Sequence, residues 1–490
     1  MKPRTNIWRG GILVLLSVLF ATALEAQISV EEHADRRAAL AERVGDGLVL
    51  AVGSAEPPQD YIPFHQNSPF RYLTGFIEPN AALLMEVSAG EIESEILFVN
   101  PRDPAMETWE GYRIGPDGTL EATGISGRSV DELGEAFGSL LGDRGEVKVV
   151  GNYNPGASIR NDVTQRVDAL LDGRSGVEVV PVTQEVAALR RVKSEAELEL
   201  LRRSTVITVQ AHREILGVLA PGRNEFEVQA VLEYTFRRYG SERPAFASIV
   251  GSGPNSTVLH YNVNNRFMED GDVVVVDIGA SYGGYAADVT RTLPVNGTFS
   301  EAQAEIYQIV RDAQARAEEM GRPGTVVGQM DQAAAQVVAE GLAEVGLIEA
   351  PDATYEAENG QRIPQFRLFY MHAMGHGIGL DVHDPWPGVL EPGVAFTIEP
   401  GIYVRPNLFD EIIPDVPANE GLREAIRPAF ERYVNIGVRI EDDYIVTEDG
   451  LEWISPAPRE IDEIEAAMAE PWDGPESRNA DWVEWFRGME

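Results

Sequence analysis

The chain has no cysteine among its 490 residues. Disulfides, thiolate metal ligands, a cysteine nucleophile and a lipid-modified cysteine anchor are all excluded, so any metal must be held by histidine and carboxylates. Lysine is nearly absent too, occurring only at Lys2, Lys148 and Lys193, and almost all positive charge is arginine. Acids outnumber bases 79 to 40, for a formal net charge of -39. Phosphate backbones and anionic bilayers would be repelled by such a chain, which excludes nucleic acid as a partner. Long hydrophobic runs are also missing. The best candidate, Ile12 to Phe20, falls well short of the roughly 20 apolar residues of a membrane span. Lys2, Arg4 and Arg9 precede it and the small-x-small pattern Ala21-Thr22-Ala23 follows, which is the layout of a secretory signal. Export to the periplasm or medium is expected, with residues 1–26 removed and no stable membrane association afterwards.

What is present is enough apolar residue, 44% of the chain, for real cores, and length enough for two to four domains. Strand patterns at Gly47 to Val52, Ala81 to Val87, Ile96 to Asn100, Glu146 to Val150 and Val177 to Val182 alternate with helical patterns. These include Val30 to Glu42, Ser129 to Leu141 and Ile159 to Leu171, and the alternation indicates an α/β N-terminal domain over 27–183. Asp60 to Phe76 is aromatic and rich in turn residues, and periodicity does not assign it. A long amphipathic helix from Ser194 to Leu219 opens a second unit, 184–468, in which helices mix with hairpins, an α+β pattern. Asn224 with Glu227 and Ser300 with Gln303 read as capping boxes. An acidic tail over 469–490 carries Trp472, Trp482, Trp485 and Phe486, and packing on its own domain or on a sister subunit is expected of it.

Three of the seven histidines, His372, His376 and His383, lie in Tyr370 to Asp384 (YMHAMGHGIGLDVHD). Gly375, Gly377 and Gly379 each disfavour a helix interior by about 1 kcal/mol relative to Ala, so the segment reads as loop or irregular strand. His372 and His376 have the i, i+4 spacing of a helical zinc motif, but Ala373 stands where that motif needs Glu. A glycine-rich turn with ordinarily hydrogen-bonded histidines is the plainer reading, and the segment alone does not choose.

The choice comes from carboxylates elsewhere. Val273 to Ala280 and Tyr285 to Thr292 are strand patterns joined by a turn. A Tyr282-Gly283 loop would set Asp277 directly opposite Asp288, with Cβ atoms about 4.5 to 5.5 Å apart. Two carboxylates that close repel unless one is protonated or a cation intervenes. Glu399, within Phe396 to Tyr403, and Glu441, within Gly437 to Asp443, likewise follow or interrupt β-branched runs, where an unpaired carboxylate is costly. Gly279-Ala-Ser281-Tyr-Gly283 fits the nucleophile elbow G-x-S-x-G, but that elbow needs a helix after it, and Tyr285 to Leu293 reads as strand.

Motif by motif, this set resembles the metallopeptidase family of aminopeptidase P, prolidase, methionine aminopeptidase and creatinase. The likeness extends through Phe246 to Tyr261, and into Asp60 to Phe76 and Asn100 to Gly115, and covers nearly all of Val30 to about Met468. It implies a pita-bread catalytic domain and two divalent cations, Mn²⁺ by preference with Co²⁺, Zn²⁺ or Fe²⁺ as alternatives. Asp277, Asp288, His376, Glu399 and Glu441 would be the ligands, with Asp288 and Glu441 bridging. Two such metals about 3.5 to 4 Å apart can hold a hydroxide and polarise a carbonyl. The resemblance further implies that Glu399 shuttles the proton and that His260 and His383 flank the substrate. It gives His372 a supporting role, and Arg439, next to the bridging Glu441, reads as an electrostatic orienter at the substrate-binding site rather than a catalyst.

The implied activity is removal of the N-terminal residue from peptides with proline second, by a homo-oligomer, dimer or tetramer. Prolidase, acting on Xaa-Pro dipeptides, is the alternative, and a non-catalytic binding protein on the same fold would be expected to have lost ligands. Val404 to Ile436 departs from many bacterial members in its length; it could reshape the pocket, build an interface, or be an outlying surface loop. Sequencing of the exported protein is expected to find a mature N-terminus near Leu24 or Gln27, whereas a membrane-held protein starting at Met1 would contradict the signal.

Overall fold

The computed structural model describes residues 28–58, 62–472 and 474. The expected signal segment and Trp482, Trp485 and Phe486 of the tail lie outside them. The N-terminal part opens with helix α1 (Val30–Val44), capped by Ser29, whose hydroxyl accepts from Glu32 N–H at 3.1 Å. Its sheet contains β1 (Gly47–Val52), β2 (Ala82–Ser88), β3 (Glu91–Val99), β4 (Gly127–Ser129), β5 (Glu146–Val150) and β6 (Glu178–Pro181), in the order β4-β3-β2-β1-β5-β6. Along β1, Leu48, Leu50 and Val52 enter one apolar cluster and Val49 and Ala51 the other. Both faces are thus buried, as a period of two dictates when helices cover each side.

Between these strands lie α2 (Ser68–Thr74), α3 (Pro104–Glu110), α4 (Gly115–Thr123), α5 (Leu133–Leu141) and α6 (Asp162–Leu171). The stretch that periodicity could not assign contains α2. Asn67 caps it by accepting from Phe70 N–H at 3.0 Å, and Gly75, at φ 67°, ends it. Seven residues are too few for a helical period to declare itself, so the cap carried the only signal. Helix α7 (Thr183–Arg190) then leads into the second part.

There α8 (Glu195–Leu216), α9 (Glu225–Arg238), α10 (Glu301–Met320) and α11 (Val327–Glu344) surround short antiparallel sheets. The two expected capping boxes form, Asn224 with Glu227 and Ser300 with Gln303, and Ser194 with Glu197 makes another; each satisfies two backbone N–H groups reciprocally. The strands are β7 (Arg243–Pro244), β8 (Ile249–Ser252), β9 (Val273–Ile278), β10 (Ala280–Tyr282), β11 (Tyr285–Ala286), β12 (Val289–Pro294), β13 (Thr354–Glu356), β14 (Arg362–Pro364), β15 (Ala395–Ile398), β16 (Gly401–Tyr403), β17 (Gly437–Arg439), β18 (Asp442–Val446) and β19 (Leu451–Trp453). The trios β8-β9-β12 and β15-β18-β19 and the pair β16-β17 carry the acidic residues, and a bridge between Thr290 and Glu441 links two of these sheets. The result is the expected combination of an α/β domain and an α+β domain.

One expected register is corrected. Asp277 pairs with Thr290, and Ser281 with Ala286, because the turn falls at Gly283-Gly284 rather than Tyr282-Gly283. Both glycines have positive φ, 59° and 87°, the requirement of the tight hairpin turn that matches strand twist. Tyr282 would be strained there. The shift is two residues, so Asp288 stays on the same face as Asp277, diagonal to it rather than opposite. The strand expected over Tyr285 to Leu293 is also interrupted at Ala287-Asp288.

The segment Val404 to Ile436 folds into a small unit with α12 (Glu420–Ala425) and α13 (Arg427–Tyr433), rather than forming a loose surface loop. Phe409 stacks edge-on against Phe430 with centroids 4.8 Å apart, and Arg432 and Tyr433 both bond Glu305 of α10. After α14 (Ile461–Met468) the start of the tail returns to its own domain, where Trp472 donates to Glu214 at 2.9 Å.

Arg291 is buried in β12 and pairs with Asp442 of β18 at 2.7 Å, with carbonyls of Pro458 and Ala457 as further acceptors. Burial works against ionisation of Asp442, but Arg291 and Arg459 overcome it and hold the carboxyl below its usual range. Breaking such a pair leaves a buried charge with one partner fewer, at a cost of about 3–5 kcal/mol. Arg291→Met is therefore expected to lower stability by that amount in urea titration at pH 7; a loss below about 1 kcal/mol would contradict the assignment.

Candidate active site and metal centre

The expected ligand residues gather from five separate elements. Asp277 lies in β9, and Asp288 falls in the break before β12, where its N–H donates to Asp443 Oδ2 at 3.2 Å instead of to a strand partner. Glu399 links β15 to β16 and Glu441 links β17 to β18. His376 arrives on the glycine loop. Asp288, His376 and Glu441 each present a ligand atom within 4.8 Å of the others. His376 Nε2 is 3.4 Å from Asp288 Oδ2, 3.5 Å from Glu399 Oε1 and 3.7 Å from Glu441 Oε1. Its Nδ1 is 3.1 Å from the Gly377 carbonyl. A carbonyl only accepts, so Nδ1 carries the proton and Nε2 turns its lone pair to the carboxylates, which is the state a metal ligand needs.

Glycine is required where this loop meets β15. A Cβ on Gly375 would lie 2.0 Å from the Thr397 carbonyl oxygen. Met374 O and His376 O also accept from Glu399 N–H and Thr397 N–H. The histidine loop therefore lies against the backbone of the segment that carries Glu399, which brings the two side chains together.

Charge is the conspicuous property of the centre. Burial first, then Glu441 and Asp277, push Asp288 well above the usual carboxylate range. Glu399 is pushed well up by burial and Glu441, and Glu441 rises to about 7 through burial and Asp277. Burial lowers the affinity of His376 for a proton, but Glu399 and Glu441 reverse this and raise it. Asp277 Oδ1, Asp288 Oδ1 and Glu441 Oε1 are buried without a hydrogen-bond partner. Hard carboxylate oxygens with free lone pairs, plus one imidazole nitrogen, form a donor set that fits divalent cations. Cations would replace the protons that otherwise quench the repulsion.

The remaining expected residues surround this centre. His383 sits edge-on to His376 with ring centroids 4.3 Å apart. Burial, then His376 and His260, lower its proton affinity. His260 is exposed, yet close enough to His372 and His383 to act on both. His372 donates from Nδ1 to Ala373 O at 2.8 Å and accepts at Nε2 from Tyr403 OH at 2.9 Å. Burial and Arg439 lower its pKa to about 4, so it is neutral. Arg439 donates to Tyr403 OH at 2.9 Å and to Asp277 Oδ2 at 2.5 Å. Arg439 Nε lies 4.0 Å from Glu441, but its short bond is to Asp277.

Two residues were missed by sequence reasoning. Tyr403 joins His372 to Arg439, and the available signal was a tyrosine closing a buried apolar strand, whose hydroxyl must find a partner. Asp443 holds the N–H of Asp288 and accepts from Thr205 at 2.8 Å; nothing short of the tertiary contact separates it from Asp442 beside it. Ser281 is buried in β10 with its hydroxyl 3.3 Å from Glu242, and a strand follows the turn, so no nucleophile elbow forms.

Fold and site together define a metal-dependent hydrolase. Residues 199–448 match the model of metallopeptidase family M24, and residues 33–150 match that of the aminopeptidase P N-terminal domain. The Xaa-Pro aminopeptidase of Haemophilus influenzae is 33% identical over 459 residues, covering 91% of this chain and 99% of the relative. That of Escherichia coli K12 is 34% identical over 461 residues, covering 90% and 98%. Human Xaa-Pro dipeptidase is 31% identical over 474 residues, covering 88% and 91%. A zinc-substituted E. coli aminopeptidase P in complex with product superposes with a TM-score of 0.76 at 32% identity, covering 90% and 98%. The chain belongs to metallopeptidase family M24, in the branch with the aminopeptidase P N-terminal domain, and is a metallopeptidase that uses divalent metal ions.

Metal-free protein should show the repulsion directly. A carboxyl whose folded pKa is raised binds more protons folded than unfolded, so its contribution is full below the unfolded value and lost as pH rises through the folded one. For Glu441 that window runs from 4.5 to about 7. Below about pH 6.5 the histidines with depressed values oppose this, since they resist the charge they acquire when unfolded. From pH 6.5 to 8 stability should fall by up to about 1.4 kcal/mol per pH unit for each carboxyl still protonated. Thermal melts of chelator-treated protein check this: the midpoint should drop over that range, and Mn²⁺ should raise it more at pH 8 than at pH 6.5.

Proposed function

We propose that the protein is an exported Xaa-Pro aminopeptidase, releasing the N-terminal residue of peptides whose second residue is proline. The observation that carries this reading is the cluster of Asp288, Glu399, Glu441 and His376, with buried oxygens left unpartnered, on a chain similar throughout to Xaa-Pro aminopeptidases. Asp277, Asp288, His376, Glu399 and Glu441 would hold two cations, Mn²⁺ being the first choice for a site of one imidazole and four carboxylates. When bound, the pair supplies a nucleophilic hydroxide at neutral pH and polarises the scissile carbonyl.

The chain's own groups do the rest. Glu399 takes the proton released on attack and returns it to the leaving prolyl nitrogen. That nitrogen carries no hydrogen in the peptide and leaves as a secondary amine only after receiving one. His260 and His383, close to one another at the rim, donate to the oxygen on which charge develops. His372, kept neutral, fixes Tyr403. Arg439, bonded to both Tyr403 and Asp277, fixes how the Asp277 carboxylate is turned.

Prolidase activity is the second reading, favoured by the likeness to human Xaa-Pro dipeptidase. Metal-loaded protein incubated with Xaa-Pro dipeptides and Xaa-Pro-Yaa tripeptides separates the two. Cleavage of the tripeptides is expected, with kcat falling about 10²–10³-fold in His383→Ala and metal-dependent turnover abolished in Asp288→Ala. Cleavage of dipeptides alone would establish prolidase, and activity surviving both chelation and Asp288→Ala would end the metal mechanism.

A further inference from the structure

A buried charge cluster lies outside the ligand set. Arg190 ends α7, the helix leading into the catalytic part, and Lys193 follows three residues later. Both converge on Asp384: Lys193 Nζ is 3.0 Å from Oδ2, and Arg190 Nη2 bonds Oδ1. Arg190 Nη2 also reaches Asp381 Oδ2 at 2.7 Å, and from α2 the Ser68 hydroxyl donates to Asp381 Oδ1 at 2.5 Å. The side chains of Arg190, Lys193 and Asp384 are 6%, 1% and 1% exposed, so solvent does not screen them as it does a surface pair. Desolvation makes such a cluster weak evidence for stability in itself, and it needs another explanation.

Asp384 is two hydrogen bonds from the metal-facing ring. Its N–H donates at 2.8 Å to the carbonyl of Gly377, closing the loop as an antiparallel bridge. That same carbonyl accepts from His376 Nδ1 at 3.1 Å. The loop closes tightly over the carboxylate, since a Cβ on Gly379 would lie 2.6 Å from Asp384 Oδ2. The carbonyl that decides which nitrogen of His376 bears the proton is therefore held by a residue anchored to α7 and the linker. His383, next to Asp384, is kept against His376 by the same closure.

We infer that Arg190, Lys193 and Asp384 form a positioning clamp that couples α7 and the linker after it to the metal centre through the Gly377 carbonyl and the His376 ring. The clamp is not catalytic, and it rests on the reading of His376 as a metal ligand. Groups that bond a ligand imidazole from outside change metal affinity by about 10- to 100-fold when lost, so this is the effect expected of a clamp one bond further out, at its lower end.

Mn²⁺ titration of metal-free protein tests it, with the visible spectrum of the Co²⁺-loaded protein as a second readout. Arg190→Gln should weaken Mn²⁺ binding about 10-fold and alter the Co²⁺ spectrum, and Arg190→Lys should recover most of the affinity. Arg36→Gln is the control: it breaks a buried contact between α1 and Glu197 of α8, 3.2 Å long, away from the loop. It should lower the thermal midpoint and leave Mn²⁺ affinity unchanged. Asp384→Asn, of equal size and with its backbone N–H intact, is titrated in parallel and should weaken binding as Arg190→Gln does. Wild-type Mn²⁺ affinity, within about twofold, and a wild-type Co²⁺ spectrum in Arg190→Gln or Asp384→Asn would overturn the clamp. So would an equal loss in Arg36→Gln. Wild-type Mn²⁺ binding in His376→Ala would instead remove the ligand reading on which the clamp depends.

Discussion

The rest of the structure depends on mutual repulsion among Asp277, Asp288, Glu399 and Glu441, three buried carboxyls and one part-buried gathered at one point in a chain that already carries a net charge of -39. Burial removes the solvent that would screen them, and each raises the energy of ionising the next. Only protons, arginines or divalent cations can resolve this. Arg439 is bonded to Asp277, and it lies at the edge of salt-bridge range from Glu441. The others are left to protons or metal.

Several buried acids of the catalytic part differ on that criterion. Asp442 is met by Arg291 and Arg459, and Asp384 by Arg190 and Lys193; these pairs tie strand to strand and linker to loop. Asp288, Glu441 and Asp443 keep buried oxygens with no partner. The contrast between Asp442 and Asp443, adjacent in one strand, shows how alternation assigns them. One side chain turns to Arg291, the other to Asp288 and Thr205, because successive side chains of a strand face opposite ways.

Much of this could be read from the sequence. The capping residues Asn224 and Ser300 and the apolar runs of β1, β5 and β9 act over a few residues, so they are visible without the fold. The five acidic and histidine positions stood out because carboxylates in β-branched runs are costly and a cysteine-free chain has no other metal donors. Less was legible where elements are short or contacts distant. Helix α2 lacked the length for a period, Tyr403 and Asp443 looked like ordinary strand residues, and the Arg190 cluster joins residues nearly two hundred positions apart.

By itself, then, the sequence determined the chemistry of the site: oxygen and imidazole donors, no thiolate, a divalent cation, and the local elements that carry each group. Tertiary structure decided the arrangement. It moved the hairpin turn to Gly283-Gly284, since only glycines adopt both left-handed positions freely, and so placed Asp288 diagonal to Asp277. It also selected the His376 nitrogen that faces the carboxylates, through a carbonyl whose position depends on Asp384. Donor type is a property of single residues. Register, tautomer and charge compensation are properties of distances between residues far apart in the chain, and those distances exist only once the chain has folded.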